Sequence, residues 1–196
     1  MAFTYPLSTP TTIGIESIEL RAVNAVATSQ SPFTYKQQIV SHGGERWEAS
    51  VTIPSVRRDK AAEWKAMLLS LRGPVGTFLL GDPDYVSPRG TVTSCEVSGL
   101  QGDSSVSVVM TGTLLAGDYI QLGEGSSARL HQVLQDQDGD GSLEIWPSLR
   151  TDNTLTVAIT DSPKGVFRLK ENITSWSINN SSFYGISFEA VEAITG

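Results

Sequence analysis

Asp136, Asp138 and Asp140 stand at alternate positions and are followed by Gly141 in "LQDQDGDGSLEIW", the opening of a D-x-D-x-D-G calcium loop. An EF-hand of this form needs a bidentate Glu at loop position twelve to close the ion's oxygen shell. Counted from Asp136, position twelve is Pro147, which offers no ligand atom. The flanks also lack the expected helices. "ARLHQVL" precedes the loop, and "SLEIW" places Leu143 and Ile145 on one face and Ser142, Glu144 and Trp146 on the other, a strand pattern. Asp and Gly suit a hairpin tip, where left-handed backbone and side-chain-to-backbone bonds are wanted. A polar hairpin loop is therefore the reading of this stretch, with a weak calcium site of another kind at Asp136, Asp138 and Asp140 as the alternative.

Other chemistry is sparse. His42 and His131 are the only histidines, and neither has a second Cys, His or carboxylate at ligand spacing. The single Cys95 sits in mid-strand, as a small buried hydrophobe would. There is no G-x-S-x-G elbow and no G-x-G-x-x-G or G-x-x-x-x-G-K-[ST] phosphate loop. A glycosidase needs two carboxylates held across a cleft, and the acidic residues here lie mostly in turns, where they are solvated. Of the tryptophans, Trp47, Trp64 and Trp176 fall on apolar faces. Only Trp146, on the polar register of its strand, is a candidate sugar platform. The expectation is a non-enzymatic protein with no catalytic residues, cofactor or firm metal site.

The elements around these residues read as strands with one helix. "IESIELRAV" alternates Ile18, Leu20 and Ala22 against Glu19 and Arg21, and "RWEASVTIP" alternates Trp47, Ala49, Val51 and Ile53 against Glu48, Ser50 and Thr52. Between them "FTYKQQIV" predicts a third half-buried strand with Phe33, Tyr35 and Ile39 on one face, followed by a turn at "SHGGER". "DKAAEWKAMLLSLR" predicts a helix over 59–72, with Trp64, Met67, Leu68 and Leu71 as its buried stripe. Asp59 suits its N-cap and Gly73 its C-terminal stop, with Pro74 preventing continuation. "VGTFLLGDP" gives a short apolar strand. Further on, "TVTSCEV", "VSVVM", "DYIQL", "ARLHQVL", "SLEIW" and "LTVAI" recur at about ten-residue intervals, the rhythm of a small barrel or sandwich. "GVFRL", "ITSWSI" and an alternating strand through Tyr184, Ile186, Phe188 and Ala190 end the chain.

Charge divides the 196 residues unevenly. Of the 14 Lys and Arg and 21 Asp and Glu in the whole chain, only Arg129 and Arg150 but nine acids fall between Thr91 and Thr160. That segment is −7, and the remainder, with 12 charges of each sign, is neutral. Nucleic-acid binding requires clustered Lys and Arg, so direct nucleic-acid recognition is not expected. No apolar run approaches the about 18 residues of a membrane span. "MAFTYPLSTP" has neither a basic nor an apolar leader region, and one Cys allows no internal disulfide; synthesis in a reducing cytoplasm is the expectation.

"GDPDYVSPRG" and "DSPKG" bracket the acidic segment with linker composition. Three strands after the second linker are too few to close a core, and the helix-bearing first part also lacks strands. The chain therefore reads as a discontinuous domain, 1–88 plus 164–196, with 89–163 inserted as an acidic β-barrel. The helix stripe would pack on the sheet, giving a structural core of Trp47, Trp64, Leu68, Leu71, Trp176 and Phe188.

"RWEASVTIPSVRRDKAAEWKAMLLSLRGPVGTFLLGDP", followed by "LLAGDYIQLG", "DGDGSLEIWPSLR" and "KGVFRL", resembles the distal tail proteins of long-tailed bacteriophages and related tail-tip proteins of phage-like particles. The likeness runs from about Trp47 to Leu169 and carries no active-site residues. It implies a β-rich ring-forming domain with one helix and an inserted small OB-like barrel. It further implies a virion structural protein whose hexameric ring joins the tail tube protein to the hub and tip proteins of the adsorption apparatus. A carbohydrate-binding or receptor-binding accessory module, with the barrel on a host-surface glycan, is the alternative from a different class.

Overall fold

Alternation in the first third of the chain produces two long strands where three short ones were expected. β1 (Ser17–Gln30) and β2 (Gln37–Arg57) pair antiparallel from Ser17 against Thr52 to Gln30 against Gln37 in the computed structural model, which describes residues 3–194. "SHGGER" is not a turn. It runs within β2, where a register shift between Asn24 and Val26 absorbs the extra residues as a bulge and Gly43 takes a φ of 69°. The reversal lies at 31–36 instead, because Ser31 can organise it: its hydroxyl accepts from the Phe33 and Thr34 amides, and Tyr35 N donates to Ser31 O at 2.9 Å.

The helix forms over α1 (Arg58–Ser70), with Trp64, Met67 and Leu68 buried against the sheet and Leu71 buried just beyond its end. Its ends differ from the expected 59–72. Arg57 occupies the N-cap without a side-chain bond, and Asp59 lies inside the first turn, where its charge favours the helix dipole. At the other end Arg72 as well as Gly73 adopts left-handed backbone, and Gly76 N caps Leu71 O at 2.8 Å. β3 (Phe78–Leu80) follows.

Eight strands make up the middle: β4 (Ser94–Gly99), β5 (Ser105–Thr111), β6 (Thr113–Leu114), β7 (Tyr119–Leu122), β8 (Arg129–Val133), β9 (Gln137–Asp138), β10 (Gly141–Trp146) and β11 (Asn153–Ile159). Six of them close an antiparallel barrel in the order β10-β5-β4-β11-β7-β8, and β6 and β9 form a two-stranded ribbon. The alternation of β5 is complete: Val106, Val108 and Met110 are buried and Ser105, Ser107, Val109 and Thr111 exposed. With Val97, Ile120, Leu143 and Ile145 they fill the barrel interior.

β12 (Gly165–Leu169), β13 (Trp176–Ile178) and β14 (Phe183–Glu192) return to the sheet, whose order is β1-β2-β14-β12-β3, with β13 on β14. Both ends of the chain thus build one sheet and the barrel strands lie between β3 and β12. The chain enters and leaves the barrel side by side: a Cβ on Gly81 would sit 2.2 Å from Pro163 O, so only glycine allows this approach.

One apolar face of the sheet takes the helix. Trp64 lies against Phe188 with ring centroids 6.0 Å apart, and its Nε1 donates to Ile13 O at 3.1 Å. Trp47, Trp64, Leu68 and Leu71 are fully buried; Phe188 and Trp176 pack at the margin and keep partial exposure. Lys65 Nζ stands 5.0 Å from the centre of the Trp176 ring and 4.6 Å from that of Tyr184, a cation–π contact.

Candidate functional site

Two of the three carboxylates of the D-x-D-x-D-G stretch are used locally. Asp136 Oδ1 accepts from Ala116 N at 2.8 Å and Asp140 Oδ1 from Met110 N at 2.9 Å, while Asp138 pairs with Thr113 in the β6–β9 ribbon. Asp136 and Asp140 thus tether the loop to two other backbone segments, and no group of three His, Cys, Asp or Glu among the described residues could hold a metal ion. Asp118, which the pattern did not single out, is the best-placed of the acids. Fully buried, it accepts from Arg89 N at 3.0 Å and Leu115 N at 2.9 Å and so ties the entry linker to the barrel.

Cys95 is buried in the barrel core, and burial, with Glu96 beside it, pushes its thiol up to about 11. A thiol held protonated is a poor nucleophile. His131 is also buried, on the side of β8 that faces Ile120. Its Nδ1 donates to Pro147 O at 2.6 Å, and desolvation brings its pKa down to about 4, leaving a neutral ring. His42 lies on the exposed hairpin.

Trp146 is half-buried and not laid open as a sugar platform would be. It packs edge-on against Trp47 at 4.5 Å, and its Nε1 donates to Asn24 Oδ1 at 3.0 Å. Its polar register turns the ring out of the barrel and into the contact with the sheet, where Trp47 Nε1 donates to Leu130 O at 2.9 Å. The large apolar residues that the barrel does expose, Leu100, Val109, Leu134, Leu155 and Val157, are all aliphatic.

What remains is a surface. β14 pairs with β2 only from Glu48 onward, so toward the tip β1 and β2 have each other alone. From Asn24 to Gly44 every residue except Ser31 is exposed. Phe33 is 92% exposed, Tyr35 74% and Ile39 63%, which corrects the half-buried strand expected for them. At 3.3 Å per residue, the seven residues from Asn24 to Gln30 carry the arm about 20 Å past the sheet. Lys36 is the single formally charged residue on the stretch. The half-buried strand failed because periodicity reports which residues share a face, not whether anything covers it.

The base of the arm, in contrast, is clamped. Ser148 N donates to Glu45 Oε2 at 2.7 Å, and Arg150 grips Glu192 through Nε and Nη2 at 3.0 and 2.8 Å while Nη2 also donates to Glu45 O. On the sheet face opposite the helix, Glu19, Arg21, Glu189, Lys170, Glu48 and Arg46 form a continuous ion ladder with three charges of each sign. Hydrogen bonds to Glu189 and Glu48 raise Lys170, and Lys170 in turn lowers Glu189.

The chain matches no family model and no curated protein. No helix among the described residues is long and apolar enough to cross a membrane.

Proposed function

We propose that the chain is a structural virion protein, a distal tail protein whose copies close into a hexameric ring between the tail tube and the tip hub, and that it performs no catalysis. The observation that carries this reading is the β1–β2 arm. An isolated two-stranded hairpin is marginal in water, and monomeric proteins protect long strand edges with charges, prolines or covering elements. This arm has two open edges, one Lys and three large apolar side chains at and near its tip. Such a segment is stabilised by a neighbour, and a heterologous contact repeated from copy to copy closes a ring.

The charge distribution supports the same arrangement. The balanced ion ladder offers no excess cations to hold a passing polyanion, as a DNA conduit requires. The acidic barrel is better placed at the periphery, since copies of a −7 unit repel when packed around an axis. Six subunits, and the tube and hub as partners, follow from the resemblance of Trp47–Leu169 to the distal tail family. The glycan-binding alternative has little to stand on without an exposed aromatic on the barrel. Negative-stain images of the purified protein test the reading: closed six-fold rings are expected, and particles of single-chain size at high protein concentration would refute it.

A further inference from the structure

The only two cations between Thr91 and Thr160, Arg129 and Arg150, open on the same cavity. It measures about 130 Å³ and lies where Arg150 leaves the barrel to grip Glu192 of the sheet; Ser127, His131 and Asn153 also line it. The two guanidinium groups differ sharply in how they are satisfied. Arg150 is paired with Glu192 on two nitrogens, and the charges cancel. Arg129 has no carboxylate within ion-pair distance among the described residues. Its Nη1 donates to Ser126 O at 3.2 Å and Ala128 O at 3.0 Å, and its Nε is buried without a protein acceptor. Burial lowers its pKa below the usual arginine value. His131 is neutral and adds no charge. Glu192 acts on Arg129 only through space while bonded to Arg150, so two guanidinium groups share one carboxylate and the Arg129 Nε lacks an acceptor, an arrangement that costs free energy until one is supplied.

We propose that this cavity is a binding site for a small oxyanion, with Arg129 as its charged anchor. A guanidinium presents parallel N–H donors that match phosphate, sulfate and carboxylate oxygens. The volume sets the ligand's size. Pockets for drug-sized molecules begin near about 300 Å³, so this one admits a single phosphate or carboxylate group and excludes a nucleotide. The site adjoins the Arg150 contacts to Glu192 and Glu45, so an anion bound there draws the barrel and the sheet together.

Thermal unfolding of the full chain in phosphate, sulfate, acetate and chloride at matched ionic strength tests the proposal. A saturable rise in melting temperature with at least one oxyanion over chloride is expected, because a ligand that binds only the folded chain stabilises it. A response to phosphate and sulfate alone assigns a tetrahedral anion, and an equal response to acetate assigns the carboxylate class. Arg129→Gln should weaken the response at least tenfold in apparent affinity, while Arg168→Gln on the sheet leaves it intact. The absence of any saturable oxyanion effect, or a full effect in Arg129→Gln, would overturn the site. Should Arg129→Gln fail to fold, titration of the parent followed by the NMR signals of the His131 ring decides: saturable shifts support the site, and unmoved signals sink it.

Discussion

The barrel and the hairpin arm are both antiparallel, and both leave the same sheet, yet they treat their strand edges in opposite ways. The barrel pairs the last of its six strands with the first, so its backbone donors and acceptors are used within the chain. Its apolar residues point inward, and its turns are pinned by Asp118, Asp136 and Asp140. The arm leaves both edges open and carries Phe33, Tyr35 and Ile39 in solvent. The difference lies in closure: a segment that completes its own pairing is a finished unit, and one that does not leaves its edges open to pairing from outside the chain.

That contrast can be tested first where the two regions meet. Trp47 packs on Trp146 and Tyr119 and donates to Leu130 O, so it joins sheet, arm base and barrel. Trp47→Ala should cost about 3–5 kcal/mol in urea unfolding. A loss below about 1 kcal/mol would mean that barrel and sheet are independent. Inside the barrel, Leu143 is fully buried, and Leu143→Ala should cost about 2–5 kcal/mol.

His131 sharpens the account of the barrel end. Its folded pKa, about 4, lies below its ordinary 6.5, so the unfolded chain takes up the proton first as pH falls. Its contribution to stability is complete above about pH 6.5 and declines to nothing near pH 4, a change of about 3 kcal/mol. Stability measured against pH for the parent and for His131→Gln should therefore converge by this amount on acidification. Parallel curves would show that the ring is not held neutral. The smallest effect belongs to the arm: Ile39→Ala on the dissociated chain should change stability by no more than about 0.5 kcal/mol, since nothing within the chain covers it. A core-sized loss there would mean that the arm folds back.

Much of this organisation was legible in the residues, for identifiable reasons. All six barrel strands appeared as short apolar runs recurring between turn residues, because each contributes side chains to the barrel core. The Trp64, Leu68 and Leu71 stripe marked the helix for the same reason, although its caps were misplaced: Arg57 supplies no side-chain cap and Arg72 takes a left-handed conformation open to glycine at lower cost. The continuity of β2 through "SHGGER" was hidden, since two glycines signal a turn equally well as a bulge. The packing of Trp146 on the sheet was hidden, because a residue on the outer register of a barrel strand can face another element as readily as water. The arm and the Arg129 cavity could not be seen at all in the sequence, because both depend on which surfaces tertiary packing covers and which it leaves.

The central claim is that the arm serves assembly and not the fold of the chain. Val26 pairs with Ser41, so residues 27–40 can be replaced by Asn-Gly, which closes a tight hairpin while keeping Asn24 and Glu45 on the barrel. The mass of the parent and of this shortened variant should be measured by light scattering over the same concentration range, with near-ultraviolet circular dichroism to verify the fold. A hexameric parent and a folded, monomeric variant are the predicted pair. A monomeric parent, or a shortened variant that assembles as the parent does, would contradict it.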